Sequence, residues 1–168
     1  NKLRSGKLQL AAKMTTFGQI MIEVQKQTAT LATQFEHTAT FEVPQGLPIL
    51  TVDTPQVVKV IMHLARNACM YTPKGGQITI SAALTDEPGT FRVTIRDTGV
   101  GMKPEEVARL GEPFYRADHE LVTSQKGYGL GVPVAMGLLA LMESRLDVES
   151  TPEQGSAFSF VLRGMVMS

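Results

Sequence analysis

Apolar positions along this chain first follow a helical rhythm, then shorten into strand-like runs, then turn helical again before alternating with polar residues. From Phe17 to Thr38, Ile20, Val24, Leu31 and Phe35 recur at roughly helical spacing, and Met21, Thr28 and Phe35 lie seven apart. This predicts an amphipathic helix, although its threonines weaken it. Thr40–Val43 and Ile49–Val52 are short β-like runs separated by Pro44, Gly46 and Pro48. Asp53-Thr54-Pro55 reads as a helix start, a capping side chain followed by proline in the first turn. That helix should reach about Met70, with Val57, Val60, Ile61, Leu64 and Ala68 on its apolar face, and end at Thr72-Pro73-Lys74-Gly75-Gly76.

The second half is strand-rich. Ile78, Ile80, Ala82 and Leu84 alternate with polar residues, and Phe91, Val93 and Ile95 do the same after the turn Asp86-Glu87-Pro88-Gly89. From Asp97 to Gly131 the chain is punctuated by glycine, with one short helical segment around Glu105 to Leu110. Such a stretch is too long for a plain connector and reads as a functional loop or lid. A helix from about Val132 to Glu143 follows, then a closing hairpin of Leu146–Glu149 and Ala157–Leu162. The expected fold is α+β: a two-layer sandwich with a mixed, mostly antiparallel sheet of about five strands and about three helices on one face.

At 168 residues the chain is close to one domain of the usual ~150. Sixteen basic and sixteen acidic residues cancel, which argues against a nucleic-acid or membrane-surface binder driven by bulk charge. The 43% of hydrophobic residues suits a packed core rather than a disordered chain. Glycine, at 15 residues, is slightly rich, and glycine collects where backbone turns tightly or approaches a ligand. Cys69 is the only cysteine, so neither an intrachain disulfide nor a cysteine-based zinc site can form; a buried thiol in a reducing compartment is expected. The longest apolar run, Gly131 to Met142, is too short to span a bilayer and contains Pro133. The basic start (Lys2, Arg4, Lys7, Lys13) has no apolar core behind it and does not read as a signal peptide. Without an initiator methionine, the chain is expected to be an excised piece of a longer protein.

Three features carry candidate chemistry. His63 and Asn67 lie four apart on a helix, hence on one face, and the asparagine carbonyl is a hard oxygen donor suited to Mg²⁺; a capping or solvent-facing asparagine is the plainer alternative. Asp97-Thr98-Gly99-Val100-Gly101 follows a strand directly. An ionised carboxylate only accepts hydrogen bonds and so selects an amine such as that of adenine, and the glycines let backbone crowd a flat base, although the same pattern also makes an ordinary turn. Lys126-Gly127-Tyr128-Gly129-Leu130-Gly131 opens a helix, where exposed N–H groups and the helix dipole favour phosphate. It lacks the Gly-Lys-Ser/Thr ending of a Walker loop and does not sit in a βαβ unit.

In this order, with Glu112-Pro113-Phe114-Tyr115-Arg116-Ala117-Asp118 between the second and third features, the chain resembles the ATP-binding domain of bacterial sensor histidine kinases. Those belong to the wider superfamily of gyrase, Hsp90 and MutL ATPases. The resemblance runs from about Asn1 to Leu162 and includes Tyr71-Thr72-Pro73-Lys74-Gly75-Gly76 and Gly155-Ser156-Ala157-Phe158-Ser159-Phe160. It implies a Bergerat-type fold, ATP and Mg²⁺ as ligands, a histidine-containing dimerisation domain of the same protein and a downstream response regulator as partners, and a cytoplasmic domain that can be part of a membrane-anchored sensor. It also implies that residues 1–15 end an upstream dimerisation helix or linker and that 16–168 are the catalytic domain. By the same resemblance Asn67 holds Mg²⁺ and the phosphates, Tyr71 packs beside the nucleotide, and Asp97 binds the adenine amine against a wall of Gly99, Gly101 and Met102. Phe114 belongs to the phenylalanine box, Arg116 reaches for the γ-phosphate, and Gly127, Gly129, Leu130 and Gly131 cradle the phosphates with Lys126 beside them. Ser156 matches the hydroxyl that supports the aspartate through water.

Departures from the family pattern bear on activity. The superfamily's hydrolases carry a glutamate base four residues before the asparagine; here that place is His63, which disfavours transfer to water and leaves His63 as a phosphate or metal contact or a packed side chain. Met70 stands where the family usually has a lysine or arginine aimed at the γ-phosphate, so a nucleotide-binding pseudokinase is the alternative to a kinase. His119-Glu120-Leu121 does not continue into the family's phosphoacceptor motif, so the acceptor histidine is expected outside this chain.

Overall fold

The computed structural model describes residues 12–110 and 131–164. In chain order the elements are β1 (Lys13–Thr15), α1 (Phe17–Phe35), β2 (Thr38–Glu42), β3 (Leu50–Val52), α2 (Thr54–Met70), β4 (Gln77–Leu84), β5 (Thr90–Asp97), α3 (Pro104–Val107), α4 (Gly131–Leu141), β6 (Asp147–Ser150) and β7 (Ser156–Arg163). Both long helices begin on side-chain caps. Thr16 Oγ1 accepts the Gln19 N–H at 3.2 Å, and Asp53 Oδ1 accepts the Gln56 N–H at 3.2 Å with Pro55 following in the first turn.

The first helix stops three residues short of the Thr38 boundary that its periodicity suggests. Glu36 takes a left-handed φ of 59°, and the His37 N–H returns to the Ala32 carbonyl at 2.8 Å, which closes the helix. Thr38-Ala39-Thr40-Phe41 is β-branched and aromatic, and it pairs in parallel with β4 from Thr38↔Gln77 to Glu42↔Ser81. The parallel partner is reached by way of α2, as a parallel connection requires a long crossover.

Five strands form the main sheet in the order β2-β4-β5-β7-β6, antiparallel apart from that one pair. The two hairpins read from alternation are both present, β4–β5 and β6–β7. A separate two-stranded sheet pairs β1 with β3, which joins Lys13–Thr15 to the domain. One face of the main sheet carries Ile78, Ile80, Val93, Ile95, Phe158 and Phe160, all essentially inaccessible, while Thr79, Ser81, Thr94 and Ser159 on the other are half-buried. Helix α2 lies between α1 and α4 and turns Val57, Val60, Ile61, Leu64 and Ala68 wholly into the core. The fold is thus α+β, with a helical layer on one face of a mixed, mostly antiparallel sheet.

The topology brings the C-terminal end of β5 beside the N-terminal end of β7, so that Asp97 pairs with Ser156. The 71–72 turn at the end of α2 meets them there, through the Val100 N–H bond to the Tyr71 carbonyl at 2.9 Å. At the far end of the sheet, where β5 begins and β7 ends, a cleft of about 1040 Å³ is lined by Asp53, Arg92 and Arg163 among others. Its Arg92 is paired with Asp147 at 2.9 Å and its Arg163 with Glu87, so those cations already have partners.

Asp53 satisfies an otherwise orphaned N–H at the start of the helix that organises the core. Replacing it with alanine should lower stability by about 1 kcal/mol, read as a lower urea midpoint with an unchanged slope.

Candidate functional site

Asp97 is 3% exposed at the end of β5. Its Oδ1 accepts two backbone N–H groups, from Gly99 at 2.8 Å and Ser156 at 3.2 Å. Its Oδ2 is buried and has no hydrogen-bond partner among the described residues. Burial raises the carboxyl from an ordinary 3.8 to about 6, against the opposing pull of the two amides and of the His37 and Arg96 charges. Desolvation therefore wins over two good hydrogen bonds, but not by enough to neutralise the group at pH 7. The result is an ionised acceptor that needs one more donor.

The glycines around it are where side chains do not fit. A Cβ on Gly99 would run into the Tyr71 carbonyl and stand 2.7 Å from Asp97 Oδ1. Gly101 has φ +69°, and a Cβ there would meet the Thr151 backbone. Residues 99–101 are thus held between two walls. On one side Val100 donates to the Tyr71 carbonyl; on the other the Val100 carbonyl accepts the Glu153 N–H at 2.6 Å. Met102 is 1% exposed, and its N–H donates to Ser150 Oγ at 2.8 Å.

Asp97, Gly99, Gly101, Met102, Tyr71 and Ser156 are therefore brought together, as the sequence motifs lead one to expect. Ser156 supports the aspartate directly through its backbone N–H, while its hydroxyl lies 2.7 Å from Ser150 Oγ. Three contributors escape sequence reasoning. Ser150 links Met102 to the β6–β7 turn, Thr72 bonds the Ala68 carbonyl at 2.8 Å behind Gly99, and the His37 ring, just before β2, lies 3.1 Å from the Cys69 carbonyl oxygen. A serine at a strand end and a histidine after a helix carry no local signal of such roles.

The second group lies on α2 and α4. His63 is half-buried, and burial with the nearby Lys59 charge pushes its imidazole below the ordinary value, so it is neutral at pH 7. Gly131, the first residue of α4, packs beside it: a Cβ there would stand 3.7 Å from His63 Nδ1. Asn67, one turn further along α2, has a buried Nδ2 with no partner among the described residues. Met70 is 5% exposed, and Cys69 is buried with its thiol pushed up to about 12. Phe114, Arg116, Lys126, Gly127, Gly129 and Leu130 lie outside the described residues. Among the described residues no group of three acidic, histidine or cysteine side chains could hold a metal ion. A single hard oxygen such as that of Asn67 fits Mg²⁺ only where phosphates supply the remaining ligands. No helix among the described residues is long and apolar enough to cross a membrane.

Known proteins resemble this chain in sequence and in fold. An adaptive-response sensory kinase, SasA, of Rippkaea orientalis is 34% identical over 121 residues, 72% of this chain and 30% of the kinase. Among solved structures, full-length ShkA in complex with AMPPNP superposes with a TM-score of 0.80 over 95% of this chain and 33% of that one, at 23% identity. The catalytic domain of the histidine kinase ThkA in a nucleotide-free form superposes with a TM-score of 0.73 over 90% of this chain and 95% of that domain, at 18% identity. The chain thus has the fold of a histidine kinase catalytic domain and spans less than a third of the length of the sensory kinase it matches. Residues 52–164 match the histidine kinase-, DNA gyrase B- and HSP90-like ATPases, and the chain belongs to that family.

Proposed function

We propose that this chain binds Mg-ATP and transfers its γ-phosphoryl group to a histidine on a dimerisation domain of the same protein, which in turn serves a response regulator. The observation that carries the reading is the buried Asp97 carboxylate, with one oxygen saturated by two amides and the other lacking a donor. An adenine amine is such a donor, and the glycine-lined shelf of Gly99 and Gly101 beside buried Met102 suits a flat base. AMPPNP in the ShkA complex and the kinase names of the relatives support the same ligand class.

In this reading Tyr71 holds the shelf through its carbonyl, Asn67 supplies a carbonyl oxygen to Mg²⁺, and neutral His63 contacts phosphate as a donor. When bound, Mg²⁺ offsets charge on the phosphates. Arg116 serves the γ-phosphate, Phe114, Lys126, Gly127, Gly129 and Leu130 complete the nucleotide site, and Gly131 leads α4 out of it. Residues 1–15 serve as the connection from the dimerisation domain. A second reading rests on Met70: a buried thioether replaces the phosphate-directed cation, which favours a module that binds nucleotide and transfers weakly or not at all.

Incubating the chain, together with its own histidine-bearing helical domain, with Mg-[γ-³²P]ATP separates the two. Acid-labile, base-stable label on the helical domain is the expected result. Nucleotide binding by calorimetry without label after long incubation would replace the kinase with the binding module.

Asp97→Asn should weaken ATP binding by about 100-fold or more, because Nδ2 offers a donor where an acceptor is needed. The same variant should gain stability without nucleotide. The folded carboxyl titrates at about 6, above its ordinary 3.8, so its penalty is absent below both values, grows as pH rises between them and is complete above 6. Removing the charge at pH 8 should therefore raise unfolding stability by about 1–3 kcal/mol, measured in urea. Loss of stability together with normal affinity would remove Asp97 from the site.

A further inference from the structure

Ser150 is absent from the motifs that point to the base site, yet it stands in the same row of the sheet. Asp97 on β5 pairs with Ser156 on β7, and Ser156 pairs with Ser150 on β6. The chain that leaves β5 after Asp97 therefore passes the end of β7 to reach β6, where the Met102 N–H donates to Ser150 Oγ at 2.8 Å. The same oxygen lies 2.7 Å from Ser156 Oγ and 3.3 Å from the Gly155 carbonyl oxygen. A hydroxyl has one proton and two lone pairs. These three partners take up its whole hydrogen-bonding capacity, and of the three the Met102 N–H can only donate.

The rest of this loop is held by backbone or by Asp97 itself. Gly99 donates to Asp97 Oδ1 at 2.8 Å, Val100 donates to the Tyr71 carbonyl at 2.9 Å, and the Val100 carbonyl accepts the Glu153 N–H. Gly101 follows with φ +69°, a residue whose backbone is free to turn, so Met102 needs an anchor of its own beyond it. Ser150 Oγ supplies that anchor. Met102 is almost wholly buried, so an N–H released by Ser150 would lose its partner away from water, and the loop would have to move to find another. Such a movement passes to Gly99, whose N–H is one of the two on Asp97 Oδ1. We infer that Ser150 is a positioning residue for base recognition: its hydroxyl fixes the Met102 end of the Gly99–Met102 shelf, and with it the place of the shelf relative to the open Asp97 Oδ2. The inference rests on Asp97 being the base acceptor.

Neighbouring residues of the same turn act by contact or through backbone, which a side-chain change does not remove. Gly101 abuts the Thr151 backbone, Glu153 gives its N–H to Val100, and Ser156 supports Asp97 through its own N–H at 3.2 Å. Lys103, the residue after Met102, belongs to the start of α3, where its N–H donates to Glu106 Oε1 at 2.9 Å. Ser150 is thus a position at which one hydroxyl can be removed while Asp97, its two amides and the glycines are all retained.

The test is ATP and ADP affinity of the chain by calorimetry, for the parent, Ser150→Ala and Ser150→Thr, with urea unfolding to establish that each variant is folded. Ser150→Ala should bind both nucleotides about tenfold more weakly, because the base is common to the two and a buried N–H has lost its acceptor. Ser150→Thr keeps the hydroxyl and should restore most of that affinity. A folded Ser150→Ala with parental affinity would reduce the serine to a stabilising contact and overturn the inference. So would an equal loss in Ser150→Thr, or a loss confined to ATP, which would place the effect at the γ-phosphate. Ser150→Cys, which keeps the shape but accepts a hydrogen bond weakly, is read in the same way should the alanine variant not fold. Asp97→Asn run alongside keeps the two readings apart: normal affinity in that variant removes the base site itself, whereas its loss beside parental affinity in Ser150→Ala removes only Ser150.

Discussion

The site depends on a carboxylate kept charged where the protein would be more stable without it. Asp97 is almost wholly out of water, and only one of its oxygens is satisfied from within the described residues. An unfilled buried acceptor is expensive, so a fold that contains one must hold it with bonds made elsewhere. Here three segments distant in sequence do so. The turn after α2, the strand end of β5 and the turn before β7 are joined by backbone bonds from Val100 to Tyr71 and from Glu153 to Val100. Gly99, Gly101 and Gly155 stand where a side chain would force these segments apart, since a Cβ on Gly155 would meet the Asp97 carbonyl.

The same constraint explains the order of layers. Asp97 and Ser156 face each other because β5 and β7 are neighbours, and their apolar residues Val93, Ile95, Phe158 and Phe160 are buried in the same core as the apolar face of α2. Core packing thereby fixes the spacing of the two N–H donors on one oxygen. A strand at the sheet edge would be freer to shift, and the acceptor geometry would shift with it.

Much of this was legible in the residues. The helical faces of α1 and α2, both hairpins and the aspartate-glycine motif follow from periodicity and turn chemistry, which are local signals. What escaped is long-range. The end of α1 at Phe35 is set by β2 pairing with β4, some 40 positions away, and the β1–β3 sheet by a partner well beyond the reach of local propensity. Ser150 joins the site through the pairing of β6 with β7, Thr72 through a bond back to the Ala68 carbonyl and His37 through the Cys69 carbonyl, and none of these roles has a residue signal of its own. Recognising Asp97 needed only its neighbours; recognising what holds it needed the sheet.

Under the proposed function, base recognition and phosphate chemistry rest on different parts of this chain, and that separation gives Met70 its meaning. The acceptor, its two amides and the glycine shelf are built from strand ends and turns locked to the core. Met70, in contrast, is the last residue of α2, buried and apolar, three positions after Asn67. Its thioether is apolar and brings no charge of its own. A substitution there can therefore leave the base site intact while changing the rate of transfer. On that proposal affinity for nucleotide reports the strand-end architecture and transfer reports a separate set of contacts to phosphate, so neither measurement substitutes for the other.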